Sequence, residues 1–198
     1  MTDITARLSA PVDAATLDRL HRRLEREAEQ AGLVDVAYTI VDSPVGKLLL
    51  AATPRGLVRV AYASEDHDRV LDTLGRQLSL RILRAPGRLA SAARELDEYF
   101  ARRRQAFDVE LDLSLCHGFR QLVQRHLPQI GYGQTRSYRQ VAELVGNPRA
   151  VRAVGTACAT NPLPVVVPCH RVLRADGTLG GYIGGPEAKT ALLALEAT

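Results

Sequence analysis

The sequence predicts an α/β chain in two parts, a small antiparallel sheet with helices followed by a mostly helical C-terminal region. Three observations carry that prediction. Residues 36–62 read as three short strands joined by turns, the segments around them repeat apolar residues at helical spacing, and strand patterning fades from Phe119 onward. The boundaries that follow are a helical extension at residues 1–34, an α/β part at 35–113 and a C-terminal part at 114–198.

The first element is a charge-rich helix over residues 13–30. Leu17, Leu20, Leu24 and Ala28 recur every three or four positions, a narrow stripe suited to packing on the domain that follows, and Gly32 ends it. Strands are expected at 36–41, 47–52 and 57–62. The turns between them, Asp42-Ser43-Pro44-Val45-Gly46 and Thr53-Pro54-Arg55-Gly56, are too short for crossovers, so neighbours run antiparallel. Ser64 is placed to cap a helix reaching residue 78, and another helix spans about 88–103. Residues 107–113 alternate apolar and acidic side chains and suit either a strand or a connection.

Further on, a helix over 118–127 is broken by Gly131-Tyr132-Gly133. Ser137 caps a short helix over 138–145, and Gly146-Asn147-Pro148 turns the chain into a second helix beginning near Pro148 and ending near 159. Helix, tight turn, helix is the helix-turn-helix pattern, and Arg149 and Arg152 stand in the first turns of the second helix, where recognition helices meet DNA. Many helix pairs share that outline. A last helix spans 186–197.

Composition narrows the class of function. With 198 residues and a net charge of +4, the chain carries a mild basic excess that permits a polyanionic partner without requiring one. Three cysteines with no CxxC spacing fit neither a disulfide framework nor a zinc site, so no metal and no cofactor are expected. No apolar run approaches the roughly 20 residues of a membrane span. Residues 1–11 lack the pattern of an export signal, and a cytoplasmic protein is expected.

The chemistry concentrates in Asn161-Pro162-Leu163-Pro164-Val165-Val166-Val167-Pro168-Cys169-His170-Arg171-Val172. Three valines framed by prolines suggest a stiff, buried, extended segment that delivers Cys169 at its end. A thiol reacts as its thiolate, which nearby imidazole or guanidinium groups favour. Adjacent side chains of an extended chain point to opposite faces, so His170 needs a bent backbone or a bridging water to act on Cys169. At this level a reactive thiol and a buried structural cysteine remain equally open. Cys116-His117, with no framing prolines and no following arginine, reads as structural, as does Cys158 within a helix. The glycines around Tyr182, from Gly180 to Gly185, suit either a flexible connector or a loop whose backbone approaches a flat ligand.

Taken together, these residues resemble the O6-alkylguanine-DNA alkyltransferases. Pro168-Cys169-His170-Arg171 matches the family hallmark, and Asn161-Pro162, Arg152 to Gly155, Ser137-Tyr138, Gly181-Tyr182 and Asp42 to Gly46 lie at its spacings. The likeness covers about residues 36–196. It implies a ribonuclease H-like N-terminal domain and a winged-helix-like C-terminal domain. It further implies direct-reversal repair of double-stranded DNA carrying O6-alkylguanine, approached from the minor groove, with irreversible transfer to Cys169. O4-alkylthymine is a further possible substrate.

Under that resemblance His170 is a water-mediated base oriented by Glu196, and Asn161 braces the loop. Arg152 enters the base stack, Tyr138 presses on the phosphate, and Ser137, Arg149 and Arg171 join the DNA contacts. Tyr182 donates a hydrogen bond to the base, the backbone of Cys169 and Val172 reads its amino group, and Gly181, Ile183 and Gly184 complete the pocket. A monomer is expected in solution, with cooperative assembly on DNA left open. The chain departs from the family pattern at Gln124, where Trp is frequent, at Pro128 and Gly131 before the helix pair, and at Ile183. The branched side chain of Ile183 implies a pocket that restricts bulky alkyl groups. The competing reading is a damage-sensing DNA-binding protein without catalysis; a Cys-His hydrolase fits adjacent residues poorly.

Overall fold

The computed structural model describes residues 13–197, so residues 1–11, expected to carry no export signal, lie outside them. The chain divides into two units, Met1–Val34 and Asp35–Thr198. In the first, helix α1 spans Ala14–Gln30, with the Asp13 carboxylate accepting from the Thr16 N–H at 2.8 Å as its N-cap. No residue of α1 is buried, and the stripe of Leu17, Leu20 and Leu24 stays about half exposed.

The second unit opens with strands β1 (Val36–Val41), β2 (Leu48–Thr53) and β3 (Gly56–Tyr62), antiparallel as expected. The sheet is nevertheless mixed. A short strand β4 (Ile82–Arg84) pairs parallel to β1, giving the order β3-β2-β1-β4. At three residues β4 carries too little alternation to be seen in the sequence. β2 sits inside the sheet, and its run of Leu48, Leu49, Leu50 and Ala51 is wholly buried because both faces are covered. Helix α2 (His67–Gln77) covers one face through Val70 and Leu74, which cluster with Val36, Leu49, Ala51, Val58 and Ala61. The turn Pro86–Leu89 packs on β1 and β2, and helix α3 (Ala90–Phe100) follows it.

Two helix starts before residue 107 differ from expectation. Ser64 lies in a 3₁₀ turn, Ala63–Glu65, and Asp66 caps α2 instead, accepting from the Asp68 and Arg69 N–H groups. α3 is shorter than predicted because Pro86 sets a 3₁₀ turn before it, and Arg102 adopts a left-handed φ of 59° just beyond its end.

β3 is an edge strand, yet its free edge is occupied. The Leu57 N–H donates to the Glu110 carbonyl and the Asp112 N–H to the Leu57 carbonyl, both at 2.8 Å, so residues 107–113 are a connection with one bridge rather than a strand. Further along, the Val60 N–H donates to the Pro162 carbonyl at 2.8 Å. This edge thereby anchors the segment that leads to Cys169.

Helix α4 (Gly118–His126) gives way to a 3₁₀ turn, Leu127–Gln129, that contains Pro128. Helix α5 (Tyr138–Leu144) begins with a capping box in which Ser137 and Gln140 satisfy each other's backbone N–H groups. Its end is a Schellman turn: Gly146 takes φ 74° and the Asn147 N–H reaches the Ala142 carbonyl at 2.9 Å. Helix α6 spans Val151–Ala159, starting later than Pro148, because the Ala150 N–H first closes a turn onto the Asn147 carbonyl. α5 and α4 both pack on α6, and helix α7 (Gly185–Glu196) closes the unit. β5 (Arg136–Ser137) and β6 (Val172–Leu173) form a small parallel pair. Among the described residues, no helix is long and apolar enough to cross a membrane.

Candidate active site

The segment before Cys169 is buried as predicted but is not extended. Asn161 folds it. Its Oδ1 accepts the Leu163 N–H and its Nδ2 donates to the Val167 carbonyl, both at 2.9 Å, so one side chain spans the ends of the loop. The Val167 N–H closes a turn onto the Leu163 carbonyl at 2.8 Å. Val165 consequently takes φ 72°, a left-handed conformation that costs a β-branched residue on the order of 1–3 kcal/mol. Fixed prolines on either side and complete burial hold it there. Cys169–Arg171 then forms a single 3₁₀ turn, which supplies the bend that an extended chain would lack.

Cys169 is 1% exposed, and the same Nδ2 of Asn161 donates to its Sγ at 3.1 Å. Burial pushes the thiol up to about 11, against the opposing effects of Asn161 and Lys189. The resting group is a protonated thiol. Asn161→Ala removes the donor that favours the thiolate and should move the pH profile of iodoacetamide alkylation upward by about one unit. The loop should lose about 1–3 kcal/mol of stability as well, from a carbonyl left unpaired.

Glu196, at the end of α7, gathers the rest of the site. Its carboxylate accepts from His170 Nε2 at 2.9 Å, from Arg171 Nε and Nη2 at 2.8 Å each, from the Tyr99 hydroxyl at 2.6 Å and from the Gly133 N–H at 3.3 Å. Burial raises its carboxyl, but hydrogen bonds from His170 and Arg171 prevail and hold it at about 2. Burial lowers the His170 imidazole while Glu196 pulls the other way, leaving a neutral ring. With Nε2–H engaged by Glu196, the proton-accepting nitrogen is Nδ1, which is buried and bonded to no protein atom.

Arg171 requires a correction. Expected among the DNA contacts, it is 5% exposed and turned inward onto Glu196 and the Ile130 carbonyl. Its charge neutralises the buried carboxylate and is not available to a phosphate. Arg149 and Arg152 lie exposed at and just before the start of α6, Ser137 caps α5, and Tyr138 is partly buried beside it. Tyr182, with Gly181, Ile183 and Gly184, lies on the loop after β6, its ring centroid 6.3 Å from that of His170. The carbonyls assigned to the base's amino group each carry one bond already: Cys169 accepts the Val172 N–H, and Val172 accepts Lys189 Nζ at 2.6 Å. A carbonyl has two lone pairs, so both retain capacity. Gln124 is buried and donates to the Ala157 carbonyl at 2.7 Å, tying α4 to α6. Among the described residues, no cluster of three His, Cys, Asp or Glu side chains is placed to hold a metal.

Residues 118–198 match the family model described as the 6-O-methylguanine DNA methyltransferase DNA-binding domain, and residues 36–113 match that family's ribonuclease-like domain. The chain belongs to the 6-O-methylguanine DNA methyltransferase family. A methylated-DNA–protein-cysteine methyltransferase of Mycolicibacterium paratuberculosis is 42% identical over 161 residues, covering 81% of this chain and 92% of the relative. The corresponding protein of Methanosarcina barkeri is 37% identical over 80% of this chain and 96% of its own. Among solved structures, Mycobacterium tuberculosis OGT in complex with DNA superposes with a TM-score of 0.69 at 40% identity, over 81% of this chain and 92% of that one. The mixed α/β architecture is that of the methyltransferase family.

Three residues of this methyltransferase site escape sequence reasoning. Tyr99 and Tyr62 come from the N-terminal half, and only folding reveals what their hydroxyls meet. Lys189 carried a signal that was there to read: it lies with Leu192 and Glu196 on one stripe of α7, and charged residues on a buried stripe need dedicated partners.

Proposed function

We propose that this protein repairs alkylated DNA by direct reversal, moving the alkyl group from guanine O6 in duplex DNA to Cys169, once per molecule. The observation that carries this reading is one buried constellation. Asn161 donates to the Cys169 sulfur, and Glu196 fixes the adjacent His170 as a neutral base with Nδ1 unengaged.

Proton transfer runs from the thiol to His170 Nδ1 through a water, while Glu196 stabilises the imidazolium that results. The sulfur pair forms the S–C bond, the C–O6 pair returns to the base, and the base takes up a proton. Because burial favours the protonated thiol, the thiolate is generated by passing its proton to His170. Nothing in the constellation cleaves the thioether, so the reaction ends after one transfer.

A base stacked in a duplex cannot reach a thiol that is 1% exposed, so the nucleotide must rotate out, at a cost of a few kcal/mol. α5 and α6 are read as a helix-turn-helix in a winged-helix-like arrangement entering the minor groove. Arg152 fills the gap left in the stack, Tyr138 and Ser137 engage the phosphate beside it, and Arg149 adds a backbone contact. Residues 35–113 support the loop, residues 114–198 bind and react, and the protein works as a monomer in the cytoplasm. The M. tuberculosis relative solved with DNA supports the choice of partner. Arg152→Ala should slow transfer from a duplex by at least about thirtyfold, because flipping loses its compensating contact. Transfer from a single strand, where no stack is broken, should change little.

The deciding experiment is intact-mass measurement after mixing the protein with a duplex containing one O6-methylguanine. A gain of one methyl group on the Cys169 peptide, stopping at one equivalent, is the expected result. Tight binding with no gain in mass would favour the damage-sensing reading.

A further inference from the structure

We propose that Tyr99, near the end of α3, is a positioning residue for the reaction: its hydroxyl shares one Glu196 oxygen with His170, and that sharing keeps the imidazole neutral until the thiol proton arrives. This inference rests on the reading of His170 as the base.

Glu196 Oε1 receives the Tyr99 hydroxyl at 2.6 Å, Arg171 Nη2 at 2.8 Å and His170 Nε2 at 2.9 Å. A carboxylate oxygen offers about two lone-pair directions, so these donors compete for it. The shortest contact belongs to Tyr99. Charge fixes its direction. Burial opposes ionisation of Glu196, but hydrogen bonds from His170 and Arg171 prevail, so its oxygens only accept. Burial, and then the negative charge of Glu196, raises the Tyr99 phenol well above its ordinary value, so its proton stays in place.

Tyr99 is fully buried and cannot turn away. Its ring centroid lies 5.4 Å from that of Phe100, 5.3 Å from Phe107 and 6.1 Å from Tyr132. Tyr132 in turn donates to the Leu195 carbonyl at 3.1 Å, which ties this aromatic cluster to the end of α7. The ribonuclease-like part, residues 36–113, thereby places one hydroxyl on the carboxylate of the relay.

The other groups around His170 leave that hydroxyl room to act. Burial, Arg171 on the same turn and Lys189 on α7 all disfavour the imidazolium, while Glu196 favours it. The Tyr182 ring stands edge to face with the imidazole at 6.3 Å. A further donor on Glu196 Oε1 weakens the favourable pull. When the thiol proton reaches Nδ1 through water, the imidazolium stays paired with an ionised Glu196, and the proton goes no further. The sulfur pair forms the S–C bond, and the C–O6 pair leaves with the base.

The test uses the full chain and two readouts: His170 titration by NMR, and single-turnover transfer from O6-methylguanine duplex between weak acid and weak base. Tyr99→Phe keeps the ring and removes the donor. The imidazole should then titrate about one unit higher, the transmitted part of a charge-assisted hydrogen bond. Transfer needs the neutral ring, so the acid-side fall in rate should move up with it. The variant should therefore lag by up to about tenfold in weak acid and keep pace in weak base. A fluorotyrosine at position 99, a stronger donor of nearly the same shape, should move both readouts the other way, and it serves even where Tyr99→Phe fails to fold. A His170 titration unchanged in both variants, whatever their rates, would mean a structural role and overturn the proposal, with His170 still standing as the base. A titration that moves without the rate profile following would remove His170 as the base and this inference with it.

Discussion

Cys169→Ser should leave the protein folded and able to bind a duplex, and should abolish methyl transfer over any practical incubation. The two side chains differ little in volume, and the loop that presents them is set by Asn161, Pro162 and Pro168 rather than by the sulfur. The chemistry is another matter. A thiolate is intrinsically far more nucleophilic toward carbon than a hydroxyl, and a neutral imidazole cannot ionise serine to any useful extent. Mass spectrometry of the variant with O6-methylguanine duplex checks the loss of transfer, and a binding titration on the same duplex checks that binding survives. Residual transfer by this variant at even a hundredth of the native rate would mean that the sulfur is not the acceptor.

The second large effect belongs to Glu196. Glu196→Ala removes the acceptor for His170, Arg171 and Tyr99 at once and leaves the Arg171 guanidinium buried without a counter-charge. Breaking a buried pair on one side costs about 3–5 kcal/mol, a large fraction of the stability of an ordinary domain. A steep fall in the urea midpoint is expected, together with loss of transfer by whatever fraction stays folded. Acid should reproduce part of the effect in the native protein. The Glu196 carboxyl is held at about 2 against an ordinary 4.5, so its contribution is complete above 4.5 and drains away as pH falls toward 2. His170 is also depressed, below an ordinary 6.5, and the folded state resists the proton that the unfolded chain accepts. Both groups therefore destabilise the fold as pH drops, His170 from about neutrality and Glu196 only in strong acid. A thermal midpoint that rises on acidification from pH 7 to 4 would contradict this assignment.

Much of the fold was legible because local rules and the tertiary structure agreed. The three antiparallel strands announced themselves through tight turns at Gly46 and Gly56, and Ser137 and Gly146 marked both ends of α5. What was not legible came from distance. β4 exists only because β1 offers it a partner. Asp66 displaced Ser64 as a cap because the chain spends residues 63–65 in a 3₁₀ turn first. At the site, Pro168 to Arg171 pointed to the family, but the valines suggested a straight segment where Asn161 imposes a bend. Arg171 looked like a cation for phosphate until Glu196 was found facing it. Spacing along the chain does not reveal which charge a fold turns inward.

The burial of Cys169 bears on how long the protein lasts before it is needed. A molecule that acts once is lost to any stray electrophile or oxidant that reaches its sulfur, with no cycle to restore it. Peroxides and small alkylators attack the thiolate, and susceptibility follows ionisation and access. Cys169 is 1% exposed and burial pushes its thiol up to about 11, which limits both. The enclosure that, in the proposed mechanism, requires an extruded base should therefore also shield the Cys169 sulfur from adventitious oxidation and alkylation.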